Sequence, residues 1–434
     1  MPSNTLEVWG GIECSYNRIN DQYGDQLDYC GHYRRGIEDI EKIAELGFKA
    51  LRYPIIWERY GSNVGDDPAW TWLRRQLNTL RYSKITPIAG LLHHGSGPVQ
   101  ATLMDTCFPG EIERYARKVA EQFPWLEYYT PINEPLTTAR FCGLYGFWYP
   151  HQTNARCFAD IFLNEMKAVV LAMKAIRKIN PRAKLVQTED LGKTYSTELL
   201  RYQAEFENQR RWLTNDMLCG FVRTGHPMWD YFLWLGIPQQ RLEFFLENPC
   251  KPDIIGLDYY VTSERFLDEN LNRYPTHMYG SNGEHDYADI EAIRVKHDAP
   301  SGPEVLIREC WERYNIPIAI TEVHIHGIPE EQIAWFNYIR EACLQLIADS
   351  VNIRAITAWA LFGSYGWSKL LTEHKGEYER GVFDVCSGEL MSTAYTKFLK
   401  ALIRNPASVQ VRPQQGWWKE EDRFIRNAIL ASVS

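Results

Sequence analysis

The 434-residue chain carries 47 Lys and Arg against 55 Asp and Glu, a formal net charge of −8, with 45% hydrophobic and 24% charged residues. That composition belongs to a globular protein with a sizeable core, and no apolar run reaches the roughly 20 residues of a membrane span. The acidic balance argues against a nucleic-acid partner, because phosphate binding relies on clustered Lys and Arg.

The start, Met1-Pro2-Ser3-Asn4-Thr5-Leu6-Glu7, lacks the basic n-region and apolar core of a secretory signal, so a cytoplasmic location is expected. The 10 Cys are scattered singly from Cys14 to Cys386 without a Cys-x-x-Cys pair, and read as buried reduced thiols. The 15 Trp and 25 Tyr are the one compositional excess. Flat aromatic faces suit sugar rings, and they suit a large core equally well.

Short β-rich runs alternate with longer helical patterns, the signature of βα units around a parallel sheet. Strand one is expected at Glu7 to Gly11, followed by a helix through Ile37, Ile40, Ile43, Ala44 and Leu46 that Gly47 stops. Strand two covers Lys49 to Ile55, and a helix over Trp70 to Tyr82 leads to strand three at Lys84 to Leu92. Ile112, Tyr115, Ala116, Val119 and Phe123 mark the next helix before strand four at Glu127 to Ile132. A helix from Phe158 to Ile179 ends before Asn180-Pro181, and strand five is Lys184 to Thr188. Ser196 to Asn248 reads as two or three helices broken at Gly225-His226-Pro227 and Gly236-Ile237-Pro238. Strand six is Asp253 to Leu257, and the polar stretch Val261 to Gly302 reads as a long functional loop or lid. Strand seven is Pro317 to Thr321, with a helix over Glu331 to Asp349. Strand eight is Ile353 to Leu361, and a closing helix spans Thr393 to Ile403. Eight such units close most simply as one (β/α)8 barrel over residues 1–404, with enlarged loops after strands five and six. The tail 405–434, with Trp417 and Trp418, is expected to pack on the barrel or to act as a linker.

Active sites of such barrels lie at the C-terminal strand ends. There the sequence offers Glu13 and Asn17, Arg52, His93-His94, Asn133-Glu134, Glu189-Asp190, Asp258 and Tyr260, Glu322, and Trp359 through Trp367. Glu134 and Glu322, after strands four and seven, can converge across the mouth on one bond. Retaining glycosidases need that arrangement, with two carboxyl groups about 5 Å apart.

Trp9-Gly10-Gly11, His32-Tyr33 with Glu38-Asp39-Ile40, Leu46 through Arg52, Asn133-Glu134-Pro135, Asp258-Tyr259-Tyr260, Ile320-Thr321-Glu322 and Trp359-Ala360-Leu361 occur in order along the chain. Over roughly Trp9 to Leu399 this set resembles glycoside hydrolase family 1, the β-glucosidase family. The resemblance implies a retaining β-glycosidase, or transglycosidase, of carbohydrate metabolism that acts on a small or oligosaccharide glycoside and needs neither metal nor cofactor. Glu134 then matches the acid/base, Glu322 the nucleophile, and Asn133 the amide that grips the sugar 2-hydroxyl. Arg52 and Tyr260 match the donors that hold the nucleophile and are expected to lower its pKa. A less polar setting is expected to keep Glu134 protonated.

Departures from the family pattern fall among the sugar-binding positions. Asn17 stands for a Gln, His93-His94 for His-Trp, and Asp258 for an Asn. After Trp359, Gly366-Trp367 stands where the family has a Glu-Trp pair that clamps outer hydroxyls. The glycone pocket is therefore expected to differ from that of β-glucosidases. The chain also resembles the barrel half of bacterial fusions with a sugar-nucleotide reductase-like domain; if the tail after Asn405 was once a connector, that resemblance implies a role in making or editing a modified glycan or glycosylated metabolite. Two other readings are weighed. One is a sugar-binding barrel without catalysis; the other is a metal-dependent hydrolase using His93, His94, His324 and His326, set back by the alternating directions of neighbouring strand residues.

Overall fold

The computed structural model describes residues 5–61, 68–98, 102–295, 300–406 and 416–424. Eight parallel strands close into a barrel: β1 (Glu7–Gly11), β2 (Ala50–Pro54), β3 (Thr86–Gly90), β4 (Tyr128–Thr130), β5 (Lys184–Asp190), β6 (Ile254–Tyr259), β7 (Ile318–Val323) and β8 (Ile353–Ala358), with β8 pairing back on β1. Each strand contributes one residue to a layer inside the barrel: Trp9, Ala50, Ile88, Tyr128, Val186, Ile254, Ala319 and Ala355. The alanines of β2, β7 and β8 leave room for the Trp9 indole, so the interior is filled rather than hollow.

Helices cover the outside and place their apolar faces on the sheet. The longest, Ala155–Ile179, is capped by the Asn154 side chain, which accepts from the Cys157 amide, and it stops before Pro181 as expected. Between β5 and β6 there are four helices, Arg201–Arg210, Leu213–Leu218, Pro227–Trp234 and Gln239–Glu247, where two or three were expected. Two of the breaks fall at Gly225 and Gly236, both with positive φ. The helix Gly302–Tyr314 was not singled out from the sequence, although Leu306, Ile307, Cys310 and Tyr314 give it a buried stripe.

Two differences bear on the site. Strands β5, β6 and β7 run two residues past their expected ends, so Glu189, Asp190, Asp258 and Glu322 lie within strands. The sequence reading stopped at the last apolar side chain, but a barrel strand keeps its ladder while inward positions turn polar near the mouth. The expected loop Val261 to Gly302 holds structure of its own. Its strands Glu264–Asp268, Tyr279–Ser281 and Asp286–Glu291 join Lys193–Ser196 in a four-stranded sheet at the mouth.

Of the tail, residues 416–424 are described. Trp418 is buried edge-on against Trp335, with ring centroids 5.1 Å apart, and the Arg423 side chain donates to the Ile293 carbonyl. No described helix is long and apolar enough to cross a membrane. Six of the ten cysteines are buried as expected, whereas Cys107 and Cys386 are exposed and Cys157 and Cys219 half-buried.

Candidate active site

Glu322 points inward from β7 and has both carboxylate oxygens held. Arg52 Nη1 of β2 donates to Oε1 at 2.6 Å and to the Thr321 carbonyl at 2.9 Å, while the Tyr260 hydroxyl donates to Oε2. Arg52 Nη2 reaches the Asn133 Oδ1 at 2.5 Å, and Thr188 donates to the same oxygen at 2.8 Å. The Asn133 amide nitrogen is thereby turned towards His93 Nε2, 3.3 Å away.

Glu134 follows in a left-handed backbone conformation, φ 42°, at the start of the short helix Pro135–Ala139. A non-glycine residue holds that conformation only when its surroundings impose it. Here Glu189 of β5 does so, accepting from the backbone amides of Leu136 and Thr137 and from the hydroxyls of Thr137 and Thr214. Carboxylate oxygens of Glu134, Asp258 and Glu322 all lie within 4.8 Å of one another. The carboxyl groups of a retaining glycosidase stand about 5 Å apart, and an oxygen of each of these carboxylates falls within that range of the others.

Aromatic rings form one wall. A Cβ on Gly11 would stand 2.5 Å from the Trp359 ring, so only glycine lets that indole lie against β1. Trp359 stacks on His93 with centroids 5.7 Å apart and 9° between planes, and the Arg52 guanidinium carbon sits 4.6 Å from its ring. Trp367 meets His94 edge-on at 5.6 Å. His94 in turn places Nε2 3.6 Å from Glu134 Oε2 and Nδ1 3.0 Å from the Thr138 hydroxyl.

Not every expected residue joins this set. The Asn17 amide donates to the Leu371 carbonyl at 2.9 Å and lines a side cavity with Gln26, Tyr365 and His374. His324 pairs with Glu379 and the Trp359 carbonyl, and His326 is exposed beside the same glutamate, so neither converges with His93 and His94. Among the described residues, the one group close enough to share an ion is the carboxylate trio itself, and Arg52 already supplies its cation.

Burial acts on both glutamates in the same direction, while their partners differ. Burial first, then the charges of Asp258, Glu322 and Glu189, push the Glu134 carboxyl well above its ordinary range. Burial and Asp258 also raise Glu322, against the expectation of a lowered pKa; Arg52 and Tyr260 oppose that rise but do not reverse it. Only Glu322 has a cation and a phenol on it, and both favour its ionised form. Burial brings Asp258 to about 6 against the pull of Arg52. Both imidazoles are neutral, His93 held well below its usual value and His94 down to about 3, by burial foremost.

Sequence reasoning gave no role to Thr188, Thr321 or Glu189. Their roles depend on which strands become neighbours, which no local pattern encodes.

Two buried glutamates facing each other at the mouth of a closed (β/α)8 barrel are the arrangement of a glycosidase. The model for glycosyl hydrolase family 1 matches residues 13–378, and the chain belongs to that family. Beta-glucosidase A of Thermotoga maritima is 26% identical over 401 residues, which cover 84% of this chain and 84% of the relative. An aryl-phospho-beta-D-glucosidase of Bacillus subtilis is 21% identical over 390 residues, 77% of this chain and 78% of the relative. The solved structure of the Thermotoga maritima beta-glucosidase in complex with noeuromycin has the same fold, with a TM-score of 0.74 at 19% identity, covering 93% of this chain and 98% of that one.

Proposed function

We propose that the protein cleaves or transfers a β-glycoside by two displacements, with Glu322 as nucleophile and Glu134 as acid/base. The observation that carries this is the approach of the two carboxylates to within 4.8 Å while Arg52 and Tyr260 grip Glu322 alone. Ionised Glu322 attacks the anomeric carbon, and the carbon–oxygen bond to the leaving group breaks as protonated Glu134 delivers its proton to that oxygen. The same group, now a carboxylate, takes a proton from water or an acceptor sugar, whose oxygen displaces Glu322. Asn133, fixed by Arg52 and Thr188, presents its amide nitrogen to the sugar ring, and the Trp359 and Trp367 faces supply apolar contact. Neutral His93 and His94 offer hydrogen bonds without adding a charge.

The glycone pocket departs from that of a β-glucosidase. Gly366 offers no side chain where the resemblance implies a carboxylate, and Asn17 is committed to Leu371. A site built for a hydroxyl discriminates strongly by its partners, so plain β-glucosides are expected not to be the best substrates of a broad β-glycoside panel. A catalytically silent sugar-binding barrel is disfavoured by the intact brace on Glu322, which binding alone does not require.

The test is to incubate the protein with activated 2-deoxy-2-fluoro β-glycosides and weigh it. One sugar attached at Glu322, absent in Glu322→Ala, is the expected result. Turnover by Glu322→Ala equal to that of the wild type would end the proposal.

A further inference from the structure

Glu13 is a carboxylate at the mouth that the reaction just described does not use. It follows β1 by two residues and is 4% exposed. Its Oε1 accepts from the Ser15 amide at 2.8 Å and the Ser15 hydroxyl at 2.6 Å, and its Oε2 accepts from the Trp367 indole at 3.1 Å. His93 Nε2 stands 3.9 Å from Oε1, beyond hydrogen-bond reach. A carboxylate has about four acceptor sites, so three neutral donors leave one on Oε2. Among the described residues no Lys or Arg makes an ion pair with it, although the Arg52 charge acts on it from a distance. A buried carboxylate held only by neutral partners is costly unless a further donor completes its shell. The indole on Oε2 meets His94 edge-on, and His94 stands 3.6 Å from Glu134, which puts the open acceptor site of Glu13 on the side of the catalytic pair.

We infer that Glu13 is a specificity-determining residue that accepts a hydrogen bond from a hydroxyl of the glycone, supplying from strand one the carboxylate that Gly366 cannot supply after strand eight. The inference rests on the retaining-glycosidase reading and names the substrate class for it: a glycone that presents a neutral donor beside Trp367. A phosphate or carboxylate on the sugar at that point would set two anions side by side in a water-poor pocket. In this respect the chain differs from what the name of its Bacillus subtilis relative, an aryl-phospho-beta-D-glucosidase, states of that protein.

The experiment is a cycle between enzyme and substrate. The 2,4-dinitrophenyl β-glycoside of the glycone that labels Glu322 is compared with its 3-deoxy, 4-deoxy and 6-deoxy forms, on wild type and on Glu13→Ala. The expected result is that one deletion lowers kcat/KM of the wild type by about tenfold to a hundredfold, the scale of a hydrogen bond to a charge, and lowers that of Glu13→Ala by less than about threefold. Equal penalties at every position in both enzymes would overturn the inference and make Glu13 a support for Trp367 only. Should Glu13→Ala fail to fold, Glu13→Gln keeps the shape and removes the charge. The penalty at the same position then falls to a few-fold, and an unchanged penalty refutes the inference. A labelled Glu322 with a flat cycle removes this proposal alone, whereas no label on Glu322 removes both.

Discussion

Asp258 adds a third carboxylate to a site that needs two; it accepts from the Thr321 hydroxyl at 2.6 Å and lies within hydrogen-bond reach of Glu134. Its charge faces Glu134 of the β4 end, Glu322 of β7, Asp190 of β5 and Arg52 of β2. Glu134 works as an acid while protonated, so activity is lost as pH rises through its pKa. The Asp258 charge raises that pKa, and Asp258→Asn is therefore expected to move the alkaline limb of kcat/KM to lower pH. A pH profile measures this; an alkaline limb that stays in place or moves upward contradicts the assignment. Glu322 works while ionised, so activity is lost as pH falls through its pKa. Tyr260→Phe removes a donor that stabilises the ionised form and is expected to shift the acid limb upward and cut kcat by about tenfold or more. At this scale much of the site is legible in the sequence, because Glu322 and Tyr260 lie at strand ends, Asn133 and Glu134 follow β4 closely, and Arg52 lies within β2. Asn17 is not legible. Whether a side chain enters the mouth or the adjoining loop depends on a turn whose partner, Leu371, lies 354 residues away.

Among the elements, the strands were readable from their apolar runs and the long helices from their stripes and stops. Strand ends and the mouth sheet were not, since polar residues inside a barrel mouth and polar residues in a loop look alike along the chain. Glu189 shows what an element boundary can carry: from within β5 it fixes the first turn after Glu134. Glu189→Ala leaves the Leu136 and Thr137 amides buried without that acceptor, a cost of about 1–3 kcal/mol. Calorimetry is expected to show a lower Tm, and kinetics a fall in kcat larger than any change in KM, because the residue being displaced is the acid and not a sugar contact. A variant with a lowered Tm and unaltered kcat would restrict Glu189 to stability. Gly11→Ala is expected to act on the opposite wall, forcing the Trp359 indole off β1 and weakening glycone binding. A rise in KM for a neutral aryl β-glycoside is the readout, and an unchanged KM would contradict it.

For the whole molecule, the buried Trp418 ties a described piece of the tail to the helix Pro329–Ala348 through Trp335. Truncating a buried tryptophan costs about 3–5 kcal/mol. Trp418→Ala is expected to lower the Tm while leaving the pH profile of the remaining activity in place; an unchanged Tm would mean that this piece docks without contributing to stability. The sequence showed the two tryptophans but not their partner, which stands some 80 positions earlier in the chain.

The small sheet at the mouth has a consequence for how this enzyme can change its diet. Lys193–Ser196 leaves β5 and Glu264–Asp268 leaves β6, and the two are zipped together by a parallel ladder from Lys193 with Glu264 to Ser196 with Leu267. Two rims that in a simpler barrel could be reshaped separately are here a single plate. An insertion in one would shear the other, so a change of length in either rim has to be matched across the ladder, whereas an exchange of side chains on the plate does not.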